Sequence, residues 1–217
     1  MTQMQLDGPR RAPLSGQAPD SLVIFLHGYG SNGDDLISLA PLWVKLLPNT
    51  AFSSPNAPQS IPGMASAYQW FPLTTMDPSV VAKSARAAAP ILSAFITSEM
   101  ARHNVGPQRT ILVGFSQGTM MALEVGLVWP SAFAGIIGIS GALVGFEGAP
   151  SKPPVLLIHG DQDDRVPYAA SVGAVEILKA AGIDARLHTS PRTAHSIAMD
   201  GLQAAAGFLV AALKPKV

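Results

Sequence analysis

The chain has 217 residues, of which 48% are hydrophobic and 13% are charged, and its 14 basic residues balance 14 acidic ones. This composition is typical of a folded globular protein, and the zero net charge lacks the basic surface that binding to nucleic acid or to an anionic membrane requires. There is no cysteine, which excludes disulfides, thiolate metal sites and a cysteine nucleophile.

Short apolar runs alternate along the chain with longer segments of helical periodicity. Most runs are continuously apolar, which is typical of strands in a parallel sheet covered on both faces. The predicted strands are residues 22–26, 50–53, 110–113, 133–139, 155–158 and 185–189. The predicted helices lie near residues 35–47, 78–102, 117–129, 168–181 and 197–213. We expect Asp34 or Asp35 to cap the first helix and Pro78 to lie in the first turn of the second.

This alternation predicts an α/β fold with a mostly parallel central sheet and helices on both faces. Because we find no internal repeat and no low-complexity linker, we expect a single domain over 1–217, which includes an N-terminal segment at 1–20. Residues 54–78 are rich in proline and carry no charge before Asp77. We expect them to form an ordered loop that covers the site, without a lid domain.

One uncharged stretch of 22 residues, 125–146, is long enough to cross a bilayer. Its proline and five glycines instead favour the end of a helix, a buried strand and a small-residue loop. The pair Arg10-Arg11 is followed by a polar stretch, not by the apolar stretch of an export leader. We therefore expect a cytoplasmic protein without stable membrane insertion.

Two glycine motifs follow predicted strands. The first, at residues 28–33, matches G-x-G-x-x-G and precedes a predicted helix, which is the context of a dinucleotide site. That fingerprint also needs an acidic residue about 20 positions later to bind the ribose hydroxyls. No Asp or Glu occurs between Leu36 and Met76. A nicotinamide cofactor is therefore a weak alternative, and we predict no cofactor.

The second glycine motif is the G-x-S-x-G of residues 114–118, between a predicted strand and a predicted helix. A serine held at such a sharp turn has a strained backbone, and the flanking glycines relieve crowding around it. The turn raises the Ser116 hydroxyl above the carboxyl edge of the sheet and directs the Gln117 N–H toward the same space. We therefore predict that Ser116 is a nucleophile; the alternative is a glycine-rich turn with an incidental serine.

A serine nucleophile needs a histidine base and an acid that orients this base, and on such a sheet they follow in the order serine, acid, histidine. His195 satisfies this order and lies between the last predicted strand and the last helix. Each of the other histidines precedes the serine, precedes the candidate acids or lies inside a strand: His27, His103, His159 and His188.

The acid is expected on the loop after the strand at 155–158, where Asp161, Asp163 and Asp164 stand within four residues. A calcium loop that began at Asp161 would need glycine at its sixth position and glutamate at its twelfth, and the chain has neither. One of the three aspartates is therefore expected to orient His195, and no metal is predicted. Spacing alone does not choose among them.

Several further motifs occur in order between residue 22 and about residue 210. They are F-L-H-G-Y-G at 25–30, P-N-A-P at 55–58, G-F-S-Q-G at 114–118 with M-M-A-L at 120–123, H-G-D-Q-D at 159–163, V-P at 166–167 and H-S at 195–196. Together they resemble the phospholipase/carboxylesterase family of α/β-hydrolases, which includes the acyl-protein thioesterases. The resemblance implies a Ser-Asp-His hydrolase in which Asp163 is the acid. It also implies an oxyanion hole formed by the backbone N–H groups of Tyr29 and Gln117.

These residues predict two-step acyl transfer to water on a small-molecule ester of short to medium acyl chain. Trp70, Phe71, Leu73 and Met64 of the covering loop are candidates for the acyl groove, with simple packing as the alternative. A thioesterase or lysophospholipase would use the same site, and a non-catalytic binding protein on this fold is a more distant alternative. We expect a monomer or a homodimer.

Overall fold

The computed structural model describes residues 5–75 and 77–213. Residues 1–4 of the predicted N-terminal segment, Met76 of the covering loop and residues 214–217 of the predicted domain lie outside this range. The strands are β1 (Arg10–Arg11), β2 (Ser21–Leu26), β3 (Thr50–Ser53), β4 (Gln59–Ser60), β5 (Tyr68–Gln69), β6 (Thr110–Phe115), β7 (Gly135–Ile139), β8 (Val155–Gly160) and β9 (Ala185–Ser190). The α-helices are α1 (Gly33–Ile37), α2 (Pro78–His103), α3 (Gln117–Val128), α4 (Tyr168–Ala180) and α5 (Met199–Leu213).

Seven of the strands form one sheet in the order β1-β3-β2-β6-β7-β8-β9. β1 pairs antiparallel with β3, and every other neighbouring pair in this sheet is parallel. The predicted α/β fold with a mostly parallel central sheet is thus confirmed. β4 and β5 form a separate antiparallel ribbon inside the covering loop.

The sheet is buried on both faces, which is why its strands are continuously apolar. In β2, Leu22, Ile24 and Leu26 belong to the core layer beneath α2, α3 and α4, whereas Val23 and Phe25 belong to the layer beneath α1 and α5. Because successive side chains of a strand point to opposite faces, both sets must be apolar. This buried frame holds the carboxyl ends of β2, β6 and β8 at one edge, from which the loops of the site begin.

The first predicted helix differs most from the structure. α1 ends at Ile37, and a short 3₁₀ turn with Pro41 near its start follows at Ala40–Leu42. Proline has no N–H for the helical hydrogen-bond ladder, so one continuous helix over 35–47 does not form. The N-cap is Asn32, whose side chain accepts the Asp35 N–H at 3.0 Å, and the predicted caps were wrong. Pro78 lies in the first turn of α2, as predicted.

The uncharged stretch 125–146 contains the last turn of α3, the buried strand β7 and the loop after it, as predicted. Within the described residues, α2 is the one helix long and apolar enough to cross a bilayer. Its Leu92 and Ile96 are buried in the core, and the helix packs along α3. We therefore interpret α2 as a covering helix of the sheet.

Candidate active site

Ser116 lies between the end of β6 and the start of α3, and its backbone has φ 53° and ψ −116°. A positive φ at a serine is strained, and here it is enforced by the sharp strand-to-helix turn. The turn also brings the backbone close to β2, because a Cβ on Gly118 would collide with the Leu26 carbonyl. Only glycine fits there, and the fit fixes where the Ser116 hydroxyl projects.

His195 lies on the loop between β9 and α5, and its Nε2 is 2.9 Å from Ser116 Oγ. The loop is held against the end of β8: Gln162 N–H donates to the Thr193 carbonyl at 3.0 Å, and a Cβ on Gly160 would collide with that carbonyl. The Phe115 ring also packs on the imidazole at 5.1 Å between centroids. The base is therefore held from the sheet side, while its Nε2 faces the serine.

Asp163 follows β8, and its Oδ2 lies 2.8 Å from His195 Nδ1. Its Oδ1 accepts the N–H groups of Arg165 and Val166, both at 2.9 Å. Burial raises the pKa of Asp163, but the Val166 N–H, the His195 ring and the Arg165 N–H together outweigh burial and hold that pKa below its usual value. Asp163 is thus held as a carboxylate. The neighbouring Asp164 lies on the wall of a cavity that Ser116 and His195 also line.

The loop after β2 lies against Ser116. Gly28 packs against the serine: its Cβ, if present, would lie 3.2 Å from Ser116 Cβ. Among the described residues, neither the Tyr29 nor the Gln117 backbone N–H donates a hydrogen bond. Because backbone N–H groups directed at a reacting carbonyl can bind the negative oxygen of a tetrahedral intermediate, these two N–H groups are the candidates for that role.

His27 anchors this loop from inside the protein. Its ring is fully buried, with Nδ1 2.8 Å from the Gly28 carbonyl and Nε2 accepting the Ala57 N–H at 2.9 Å. Because a carbonyl only accepts, the hydrogen is on Nδ1. Burial lowers the pKa of His27, which keeps the ring neutral and able to accept from Ala57.

Ser116 and His195 face a cavity of about 590 Å³. Its lining comprises Tyr29, Leu73, Ser116, Gln117, Met120, Asp164, Arg165, Val166, Ala194 and His195. No group of three or more His, Asp or Glu side chains is close enough to hold a metal ion in residues 5–75 and 77–213. The chemistry available here is that of a hydroxyl, an imidazole, a carboxylate and two backbone N–H groups.

Comparison with known proteins identifies the family. A family model described as phospholipase/carboxylesterase matches residues 14–213. The chain belongs to this family. Its relatives include acyl-protein thioesterase 1 of Gibberella zeae, 30% identical over 89% of this chain and 91% of that protein, and acyl-protein thioesterase 1 of Neurospora crassa, 30% identical over 96% and 94%.

Solved structures agree with the family. The crystal structure of esterase PE8 is 47% identical, covers 95% of this chain and 98% of that chain, and superposes with a TM-score of 0.91. The structure of Arabidopsis thaliana SOBER1 is 25% identical, with a TM-score of 0.78 over 89% of this chain and 99% of that chain. Family and structural neighbours together make this chain a carboxylic ester hydrolase.

The four residues predicted for the acyl groove of this hydrolase lie in different places. Leu73 lines the cavity and is 36% exposed, whereas Met64 is 52% exposed and is not among the lining residues. Trp70 and Phe71 lie instead in the core and do not reach the cavity. Trp70 donates its indole N–H to the His27 carbonyl at 2.9 Å. Their apolar rings pack the covering loop against the domain. For Trp70 and Phe71, simple packing is therefore correct and a place in the acyl groove is wrong.

The Gln117 side chain has a role that the sequence did not indicate. Its Oε1 accepts the Trp70 N–H at 2.9 Å, and its Nε2 donates to the Phe71 carbonyl at 2.8 Å. A residue that lines the cavity therefore also fastens the covering loop. Sequence reasoning also missed Met120 and Val166 as lining residues. Both lie near Ser116 or Asp163 in the chain and in motifs of the family resemblance, but neither feature indicated a lining role.

Proposed function

We propose that this esterase hydrolyses esters of short to medium acyl chain through a covalent intermediate on Ser116. The observation that supports this is the continuous chain of contacts from Ser116 Oγ to His195 Nε2 (2.9 Å) and from His195 Nδ1 to Asp163 Oδ2 (2.8 Å). A hydroxyl within hydrogen-bond distance of a base that is itself oriented by a carboxylate is the arrangement that activates serine.

In the first step Ser116 Oγ attacks the ester carbonyl while His195 Nε2 takes the hydroxyl proton. The resulting oxyanion binds the N–H groups of Tyr29 and Gln117, which are otherwise unused in the described chain. His195 then donates its proton to the leaving alcohol, and the carbon–oxygen bond to that alcohol breaks. Water repeats the sequence on the acyl-enzyme and releases the acid.

Asp163 has two roles in this scheme. As a carboxylate it accepts the Nδ1 hydrogen of His195, so that Nε2 is free to accept the serine proton. When the imidazole becomes charged, the same carboxylate stabilises it. Of the neighbouring acids, Asp164 lies on the cavity wall and is not proposed to orient the base.

Leu73, Met120 and Val166 give the cavity its apolar part, and we propose that they contact the acyl chain. A volume of about 590 Å³, open to solvent, suits short to medium chains. Because the two relatives cited above are named acyl-protein thioesterases, a thioester is the second candidate substrate. The cytoplasmic location and the oligomeric state, monomer or homodimer, stay predictions from the sequence.

Hydrolysis of p-nitrophenyl acetate, butyrate, octanoate and laurate tests the proposal, with matched thioesters assayed in parallel. We expect Ser116→Ala to abolish turnover and to prevent labelling by a fluorophosphonate. Turnover that survives in Ser116→Ala, or labelling at another residue, would contradict the proposed mechanism. Faster turnover of thioesters than of oxygen esters would favour the second candidate.

A further inference from the structure

A second imidazole, that of His159, lies beside the carboxylate of Asp163. His159, the residue before the last of β8, is fully buried, and its Nε2 is 3.2 Å from Asp163 Oδ2. This is the oxygen that faces His195 Nδ1 at 2.8 Å. One carboxylate oxygen is therefore enclosed by two histidine rings, of which the scheme above uses only one.

The partners of His159 assign its hydrogen. Nε2 lies 2.9 Å from the Val166 carbonyl, which can only accept, so Nε2 carries the hydrogen. Nδ1 lies 2.7 Å from the hydroxyl of the buried Ser171 and accepts from it. His195 has the opposite arrangement, because it presents Nδ1–H to Asp163 and keeps Nε2 for the serine.

The bond from His159 to Val166 closes the turn that holds the carboxylate. The N–H groups of Arg165 and Val166, in this same turn, donate to Asp163 Oδ1. His159 thus supports the acid twice: it fixes the turn that binds Oδ1, and the positive end of its N–H dipole lies beside Oδ2. The two N–H groups occupy Oδ1, and His159 lies on one side of Oδ2. His195 lies on the other side of Oδ2.

We propose that His159 is a positioning residue for ester hydrolysis, which acts through Asp163 and does not touch the substrate. This inference rests on the proposed function, in which Asp163 orients the base. A ring so deeply buried and paired on both nitrogens would also contribute to folding. The experiments must therefore separate positioning from stability.

Histidine NMR of the ¹⁵N-labelled wild-type enzyme tests the arrangement without any substitution or any assay. We expect His159 to carry its hydrogen on Nε2, with Nδ1 unprotonated, at pH 8. A hydrogen on Nδ1, alone or together with one on Nε2, would overturn the inference. This readout is independent of turnover, so it stands even if the proposed function fails.

Two substitutions separate the contacts of His159 Nε2 from those of His159 Nδ1. In His159→Gln, the amide N–H reaches the place of Nε2, whereas in His159→Asn the shorter amide reaches only the place of Nδ1 beside Ser171. We expect His159→Asn to lower kcat by about tenfold to a hundredfold, because small displacements of catalytic groups are costly. We expect His159→Gln to retain kcat within about threefold, and KM to stay within about twofold in both.

Ser171→Ala is the control, since it removes a buried hydrogen bond of the same ring without touching the turn or Asp163. We expect it to lower the urea midpoint while kcat stays within about twofold of wild type. In the Asp163→Asn background, His159→Asn should have no further effect, since a residue that acts through the acid has nothing left to position.

Equal losses of kcat in His159→Asn, His159→Gln and Ser171→Ala would show a merely structural role and overturn the inference. So would an undiminished effect of His159→Asn in the Asp163→Asn background. If instead the wild-type enzyme showed no Ser116-dependent turnover, the proposed function would fail, while the NMR result would still report on the His159 contacts.

Discussion

Two buried carboxylates of this chain, Glu99 and Asp163, are held by opposite kinds of partner. Glu99, in the last turns of α2, accepts from Arg10 Nε at 2.9 Å, Arg102 Nε at 3.1 Å and Ser53 Oγ at 2.6 Å. Its side chain is 1% exposed. The permanent charges of the two guanidinium groups therefore neutralise it, and the cluster joins β1 and β3 to α2.

Asp163 is equally buried, but in the described part of the chain no lysine or arginine side chain pairs with it. Its partners are two backbone N–H groups and the rings of His159 and His195. Backbone dipoles hold the carboxylate in place without cancelling its charge. In the proposed mechanism the charge stays available for the imidazolium that forms during the reaction. The comparison suggests that a buried acid serves stability or catalysis according to whether a permanent cation neutralises it.

The largest expected effect is on activity at Asp163. In Asp163→Asn, the Oδ1 acceptor for the Arg165 and Val166 N–H groups is kept, but an NH₂ group faces His195 Nδ1. The ring then adopts the tautomer that cannot accept the serine proton, and kcat should fall by about 10⁴-fold. The measurement is p-nitrophenyl butyrate hydrolysis at pH 8.

The matched control for this variant is Asp164→Asn, which changes the adjacent carboxylate on the cavity wall. We expect its kcat to stay within about threefold of wild type, because the carboxylate bonded to His195 is that of Asp163. If Asp164→Asn were the crippled variant, the assignment of the acid would be wrong.

The next largest effect is on stability at Glu99. Glu99→Gln should lower the free energy of unfolding by about 2–3 kcal/mol at pH 7, because it removes the buried carboxylate charge with which Arg10 and Arg102 pair. The kcat should not change, since the cluster lies away from the site. Urea unfolding measures the effect, and the exposed Glu176→Gln on α4 is the control, expected within about 0.5 kcal/mol of wild type.

The Glu99 effect should also depend on pH. Burial raises the pKa of Glu99, but the hydrogen bonds from Arg10 and Ser53 and the nearby guanidinium charges outweigh burial and lower it. A group whose pKa is lowered on folding stabilises the protein above its unfolded pKa, about 4.3, and this stabilisation is lost as pH falls through the folded pKa. The difference in stability between wild type and Glu99→Gln should thus shrink as the pH falls below about 4.3 and through the lower folded pKa. A difference that grew on acidification would contradict the assignment.

The smallest effect concerns the covering loop, where Leu73 lines the cavity and Met64 does not. Leu73→Ala should lower kcat/KM for p-nitrophenyl octanoate by about fivefold and leave the acetate unchanged, because only the longer chain loses apolar contact. Met64→Ala is the control and should change neither substrate. Equal losses for both esters would show that Leu73 supports the loop and does not contact the acyl chain.

Sequence reasoning predicted Ser116 from its motif between a strand and a helix, and His195 from its place in the chain order. A serine at a strand-to-helix turn and a histidine after the last strand must both lie at the carboxyl edge of a parallel sheet. The choice among Asp161, Asp163 and Asp164 came only from the family resemblance. Which of three near neighbours faces inward depends on the backbone conformation of the turn, and spacing does not encode that conformation.

Contacts between segments far apart in the chain could not be predicted from motifs or chain order. Arg10 and Glu99 are 89 residues apart, and β1 has no apolar run to mark it as a strand. Trp70 and Phe71 are aromatic, as the lining of an acyl groove often is. Hydrogen bonds to the Gln117 side chain and to the His27 carbonyl nevertheless hold them in the core. His159 was set aside because it precedes the acids, and its place beside Asp163 emerged only from the fold.

The amino-acid sequence by itself determined the layered sheet, the bend that carries the serine and the order of the reacting groups. These follow from local periodicity, from glycine at crowded positions and from the direction of parallel strands. Tertiary structure alone decided which aromatic rings are core and which second histidine lies beside the acid, and it showed the contact between Asp163 and the imidazole that the motifs had only implied by resemblance. Each of these depends on side chains from separate elements meeting at distances near 3 Å, and such meetings are set by packing, not by neighbours in the chain.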